Sequence, residues 1–424
     1  MISLCIISLS VRCRSIDNAC LTAKISVRTD NRSKNMSPDI VIVGAGITGC
    51  ATAYELSKTG LKVEVIEKYA PAAMASGWTL GGVRQSGRLL PELPLAKYSV
   101  EQWSQLSHTL GYDTGYMQEG NLRLARNEKE AKAIETLAKK QKSDGLDIVY
   151  LSDIKEIQAI APCVSSAILA ASFCRTDGHA DPVATVNAYK QAAQRNGAVF
   201  HIGESVEALS AEGDKLSTVI TSKRTIRTSR CLLACGIGVN QLIHRFGIQV
   251  PLSFAIATVI QTAPAATLLK PVLGVADGAV TLRQERDGKF RLSSGVQKWS
   301  GELIEKNGRP YVFPSSEKVY STLKAGFEIC PSLKGLQMRR FWGGSIDLTP
   351  DALPVLDRLP GVEGVYVASG FSGHGFGIAP AVGHILCRLI LGEAPELAFQ
   401  SFALERFEKN QSHTNPEPVV TLHG

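Results

Sequence analysis

Three glycines and a carboxylate are the residues most plainly spaced for chemistry. Gly44, Gly46 and Gly49 stand in G-x-G-x-x-G order, and Glu67 follows 18 residues after the last of them. Glycines in this order allow a tight turn, a close backbone approach to a pyrophosphate and close helix–strand packing. A carboxylate at that distance accepts hydrogen bonds from a ribose diol. Ala45, Ile47 and Thr48 fill the same turn, and Lys68 follows the acid. A second set is cationic: Arg84 and Arg88 flank Gln85 in ASGWTLGGVRQSGRLLPELPL, a glycine-rich loop fit to run along a cofactor through Ser76 and Gly82. A third is His374, set among Gly370, Gly373, Gly375 and Gly377 just before a helix that begins near Ile378. So many glycines bring backbone and a helix N-terminus against something flat or anionic.

These residues need particular elements to hold them. Ile40 to Val43 is a short apolar run of the buried parallel-strand kind. A helical pattern covers Ile47 to Thr59, Gly60 sits at its C-terminal glycine position, and Val63 to Ile66 is a second strand ending on Glu67. Strand, helix, strand and acid are in register for dinucleotide binding. Amphipathic helices are expected over Lys97–Leu110 and Glu128–Lys142, with a short strand at Asn121–Ala125 between them. Asp181-Pro182 starts another helix, which Gly197 ends. Ala198–Ile202, a hairpin over Ser217–Ile226 and a strand at Arg230–Ala234 are expected to complete the nucleotide-binding sheet. Val206 lies on this stretch, and Gly236 forms a second point of backbone approach. From Gln241 to Arg340 strands alternate with turns, Asp287-Gly288 among them, as in an antiparallel sheet. Gly364–Ala368 is a final short strand.

Composition narrows the function classes. The chain carries a formal charge of +7, with 44% hydrophobic and 20% charged residues. Residues 1–35 hold six Lys/Arg against two Asp, so only about +3 belongs to the remainder. No basic patch interleaved with aromatics supports nucleic-acid binding. No uninterrupted apolar run has membrane length. Ten scattered cysteines lack a C-x-x-C, which leaves no usual zinc or iron–sulfur spacing, implies no metal and fits a reducing, cytoplasmic setting. Residues 1–35 read as a mis-assigned start or a disordered extension.

The motifs VGAGITG, ASG…GGVRQSGR, DLTPDALPVLD and ASGFSGHGFGIAPAVG resemble, in that order, the D-amino-acid oxidase-like flavoproteins, a family with the glutathione-reductase type of FAD fold. GGVRQSGR…ELPLA and GFSGHGFGIAPAVG look most like its branch of sarcosine oxidases and the FAD subunits of opine and hydroxyproline dehydrogenases. The resemblance implies an α/β Rossmann-like FAD domain with a mixed, mostly antiparallel substrate domain. FAD-domain segments are expected at 36–83, 165–240 and 344–392, substrate-domain segments at 84–164 and 241–343, and a tail at 393–424. It implies oxidation of the C–N bond of an amino acid or N-substituted amino acid by hydride transfer to FAD. Arg84 or Arg88 is then the expected grip on the substrate carboxylate, and His374 is placed beside the flavin ring. Gly344 replaces the cysteine that anchors flavin in monomeric sarcosine oxidases, so the flavin is expected to be non-covalent. Arg291 stands at the position of an oxygen-activating lysine, which favours an acceptor other than oxygen. An oxidase of glycine or D-amino acids and a flavin-carrying subunit of a larger complex are the rival readings; a partner subunit would take up the electrons in the latter.

Overall fold

The computed structural model describes residues 37–409; the expectations for residues 1–35 and for the end of the tail lie outside them. Strand β1 (Ile40–Val43) has no side chain more than 6% exposed. A strand apolar on both sides needs cover on both faces, and this one pairs in parallel with neighbours on either edge. Helix α1 (Ile47–Ser57) follows, two residues shorter than the sequence pattern, and leads to β2 (Val63–Glu67). Helix α2 runs Leu93–Leu110 and α3 runs Ala379–Leu391. α2 begins at Leu93 rather than Lys97, because Pro94 suits the first helical turn and Glu92 occupies the preceding cap position.

Six strands make the parallel sheet, in the order 355–358, 365–369, 231–233, β1, β2, 199–202; only the first of these is antiparallel to its neighbour. Ile40 and Ile42 point to one face, where α1, the helix Pro182–Arg195 and α3 pack. Val41 and Val43 point to the other. There Leu209, Leu216, Val219 and Ile226 cover them from a separate three-stranded sheet, 206–212, 215–221 and 225–227. This corrects the expectation that the hairpin over Ser217–Ile226 extends the nucleotide sheet. Its buried residues are needed as a lid on the second apolar face.

The other layer is an eight-stranded sheet, ordered 338–348, 253–264, 289–298, 280–284, 272–275, 121–125, 170–174, 148–151. All its pairs are antiparallel except 272–275 with 121–125. Helix Ser316–Ile329 closes one face over Ile260, Leu292 and Phe290. Two expected boundaries fall inside this sheet. Ala170–Cys174 pairs with Asn121–Ala125, so a change of layer at residue 165 comes too early. Met338–Leu348 is one continuous strand, so a change at 344 divides it. The segment after 393 is packed rather than trailing as far as it is described: Phe402 is fully buried, and the Leu404 amide donates to Asp357 at 2.8 Å. Among the described residues no helix is long and apolar enough to cross a membrane, and no cluster of three or more His, Cys, Asp or Glu is placed to hold a metal.

Candidate active site

A cavity of about 740 Å³ opens at the carboxyl ends of the parallel strands and runs against the face of the eight-stranded sheet. Val43, Ile66, Ala234 and Ala368 line it from the first layer; Ala257, Val259, Ser293, Ser294 and Gly344 line it from the second. Ligands of open α/β sheets bind at this edge.

At one end the wall is backbone. Gly44 has φ +102°, and a Cβ there would lie 2.5 Å from Ala234 O. A Cβ on Gly49 would meet Gly44 O at 2.0 Å, so the turn and the helix start fit only as glycine. Helix α1 begins at Gly46 with no side-chain cap and no acid in its first turn, and Gly44, Gly46, Ile47 and Thr48 all line the cavity. A helix start with no acid in its first turn, only its first amide being taken by a side chain, suits an anionic pyrophosphate. Glu67 holds the turn: Oε2 accepts from Ala45 N–H at 2.6 Å and Oε1 from Tyr69 N–H at 2.8 Å. Burial lifts its pKa above the ordinary glutamate value despite those two bonds. Each oxygen still has a lone pair for a ribose hydroxyl. Lys68 and Ser76 line the same end; Lys68 pairs with Glu305 at 2.6 Å, and Ser76 Oγ accepts from Ile47 N–H at 2.9 Å. Val206 and Gly236 line it too, while Ala45 and Gly49 lie behind the wall.

At the other end the wall is the loop 370–376. Gly373, His374 and Gly375 line the cavity; Gly370, Gly377 and Ile378 support it from behind. Gly370 N–H donates to Asp347 Oδ2 at 2.7 Å. Asp347 is a buried, cavity-lining carboxyl that the sequence reading passed over, and its pKa is raised by burial. Gly82 is not at the wall but directly beneath: a Cβ on Gly377 would lie 3.0 Å from Gly82 O. Ser372 holds φ +51° although it is not glycine, a strained conformation of the sort that collects at working sites.

The arginines are placed otherwise than expected. Arg84 and Arg88 are 2% and 7% exposed, and neither lines the cavity. Arg84 Nη1 donates to Ser86 O at 3.0 Å, and Arg88 Nε donates to Arg84 O at 3.3 Å. Arg123 and the wholly buried Asp177 and Glu92 complete this network; Asp177 accepts from the Gln85 amide at 2.8 Å and from Ser86. Burial together with Arg88 pushes the Arg84 pKa well down, and burial brings Arg123 to about 10. Arg291 is likewise buried and off the wall. It donates to Thr79 O at 2.7 Å, pairs with Glu285 at 2.9 Å and lies over the Trp342 ring at 5.5 Å. Arg283 donates to Leu80 O and shares Glu285 with Arg291, and Trp342 Nε1 donates to Trp78 O at 3.1 Å. Three consecutive carbonyls of the cavity-lining stretch 78–80 are thus tied to the eight-stranded sheet. Arg291, expected beside the flavin, directs these contacts to Thr79 O and Glu285.

The fold and the cavity together define a dinucleotide-binding flavoprotein type, with the cofactor end built of backbone and the far end shared between two layers. The family follows from comparison: the profile of the DAO family, FAD dependent oxidoreductase, matches residues 39–389, and the chain belongs to that family. Its cofactor is FAD. The chain is 28% identical over 377 residues to human mitochondrial dimethylglycine dehydrogenase, covering 84% of this chain and 43% of that protein. It therefore spans less than half of that relative's length. Against sarcosine oxidase subunit beta of an Arthrobacter species it is 26% identical over 402 residues, 89% of this chain and 93% of the subunit. Its fold matches the crystal structure of L-proline dehydrogenase from P. horikoshii with a TM-score of 0.81 at 28% identity, over 88% of this chain and 98% of that one.

Proposed function

We propose that the protein oxidises the C–N bond of an amino acid or N-substituted amino acid, a secondary amine of the sarcosine or proline kind. The observation that carries this reading is the single cavity joining the Gly44–Glu67 turn to the His374 loop. FAD, when bound, supplies the hydride acceptor. The chain's own part is to cradle the nucleotide on the α1 N-terminus and Glu67, and to hold the amine against the loop 370–376. The stretch 78–80 and the sheet face screen that end from water. The names of the relatives support the substrate class: dimethylglycine, sarcosine and proline share an amine beside a carboxylate. The flavin is held non-covalently in this reading. Gly344 offers no thiol at the wall, and desolvation pushes the cavity-lining Cys235 thiol up to about 12, so it is no ready nucleophile. The discontinuous two-layer division belongs to the proposal, with 170–174 and 338–348 assigned to the substrate layer; so does a cytoplasmic location.

A second reading, that the chain is the flavin-carrying subunit of a larger assembly, draws on two observations. The chain matches a sarcosine oxidase beta subunit along nearly its whole length. It also exposes Phe313 at 61% and Phe341 at 55%, and Phe313 stacks on Tyr311. The test of both is a screen of N-methyl amino acids, proline, glycine and D-amino acids against purified protein, scored by anaerobic bleaching of flavin absorbance. Bleaching by secondary amino acids supports the first reading. Full flavin occupancy with no bleaching until a second polypeptide is added supports the other.

A further inference from the structure

The segment 299–313 joins strand 289–298 to helix Ser316–Ile329 by way of the other layer. Both of its ends are tied to the eight-stranded sheet: Trp299 N–H donates to Phe254 O at 3.1 Å, and Val312 O accepts from Gly343 N–H at 2.8 Å. Between them the chain crosses to the end of β2. There Glu305 pairs with Lys68 Nζ at 2.6 Å and accepts a hydrogen bond from the Tyr69 hydroxyl. Ser300, Gly301, Glu302, Leu303 and Glu305 all line the cavity, so the crossing forms part of its wall. Its own structure is local. Ile304–Lys306 and Arg309–Tyr311 make a hairpin around Asn307-Gly308, whose φ values of +53° and +67° suit a two-residue turn. This hairpin is a two-stranded sheet separate from the large ones. A hairpin of that size is marginal by itself, and residues 304–309 are exposed, so little apolar burial holds it down. Lys68 and the Tyr69 hydroxyl hold the Glu305 carboxyl below the ordinary glutamate value, so it is ionised at neutral pH. The Lys68 and Glu305 side chains are 52% and 45% exposed, which makes their pair weak enough to open. Tyr69 also gives its amide to Glu67 Oε1 at 2.8 Å, so the residue under this contact is one that holds the ribose-facing carboxylate.

We propose that the segment 299–313 is a gate over the nucleotide end of the cavity, latched by Glu305 on Lys68 and Tyr69, through which FAD enters and leaves. This rests on the placement of FAD between the Gly44–Glu67 turn and the His374 loop. A gate has a kinetic signature of its own. Loosening it speeds entry and exit alike and leaves the dissociation constant nearly where it was, because the latch favours neither the loaded nor the empty site. A residue that only touches the cofactor changes exit alone. A damaged fold slows entry while it speeds exit.

The test measures FAD release from the loaded full chain after dilution, and FAD uptake by the same chain stripped of cofactor, both by flavin fluorescence. Hydrogen exchange over 299–313 is a further readout that needs no FAD. Glu305→Ala should raise both rates about three- to fivefold, the scale of one exposed ion pair, and change the dissociation constant by less than about twofold. Tyr69→Phe should do the same to a smaller extent. Glu305→Lys, which sets a like charge against Lys68, should do so to a greater one. Exchange over 299–313 should quicken in each variant. Faster release with uptake unchanged overturns the gate and leaves Glu305 a simple contact. Exchange that quickens while neither rate moves overturns it too. In that case Gly46→Asp separates the causes: if it holds no flavin, FAD does sit at the Gly44–Glu67 end and the gate alone is wrong. If it keeps its flavin, the placement of FAD is wrong as well.

Discussion

The two ends of the cavity are built on different principles. The nucleotide end is made of backbone: Gly44, Gly46, the first turn of α1 and one carboxylate, Glu67, whose oxygens are bound to two amides. The far end is held by side-chain charge placed out of sight. Arg88 and Glu92 stand behind His374, and Arg283, Arg291 and Glu285 stand behind the stretch 78–80. A backbone wall is rigid because the chain has no other conformation there. A wall of buried ions is rigid only while every partner is present, since a buried charge left alone is costly. Damage to the first end should therefore appear as lost cofactor, and damage to the second as lost stability before lost binding.

The largest separation of the two comes from Gly46→Asp. It adds a negative charge at the positive end of α1, with a Cβ 3.0 Å from Ser76 Oγ. The protein should fold with a near-normal Tm for an apo form and hold no flavin, read from the ratio of visible to protein absorbance. Flavin content near wild type would show that the phosphates sit elsewhere. Arg88→Met makes the opposite break. It strips the buried Glu92 of its cation and should cost about 3–5 kcal/mol of stability, measured by denaturant unfolding. Flavin should be retained at low temperature. A variant of normal stability with only KM raised would restore Arg88 to the carboxylate grip expected of it.

Arg291→Lys is a milder probe. It keeps a cation for Glu285 and gives up the bond to Thr79 O, so about 1 kcal/mol of loop stability should go. The rate of reoxidation by air should not change, because Arg291 is not at the wall. Faster reoxidation would mean that the side chain reaches the flavin after all. The smallest effect is on pH. The folded Glu67 carboxyl titrates above the ordinary value near 4.5 because burial disfavours its charge. Ribose binding needs the ionised form, so FAD affinity should be level at neutral pH and fall as pH drops through that raised pKa. A series of FAD dissociation constants checks this, and Glu67→Gln should flatten it. An unchanged slope in that variant would move the titrating group away from Glu67.

What the sequence disclosed follows the same division. Gly44, Gly46, Gly49 and Glu67 could be read directly because their work is local: a turn, a helix start and an acid one βαβ unit away. The loop around His374 was legible for the same reason. The fate of Arg84, Arg88 and Arg291 was not, because a guanidinium on a loop or strand looks alike whether it faces a substrate or a group of its own protein, as Arg88 faces Glu92 and Arg291 faces Glu285. Glu92 carried a faint signal, an acid four residues after Arg88, the spacing of a helical pair. Asp347 opens the DLTPD stretch, yet nothing local says that its carboxyl turns toward Gly370. The place of Ala170–Cys174 in the larger sheet is not legible locally, because two helices and a strand separate it in sequence from its partner Asn121–Ala125.

The most direct test of the proposed reaction is an anaerobic titration of the FAD-loaded chain with a secondary amino acid that bleaches it in the screen. One equivalent of amine should bleach one equivalent of flavin, and the rate should saturate with amine concentration. If no amino acid or N-substituted amino acid reduces the flavin, with or without an added protein partner, the cavity binds FAD for a different purpose and the proposed reaction is wrong.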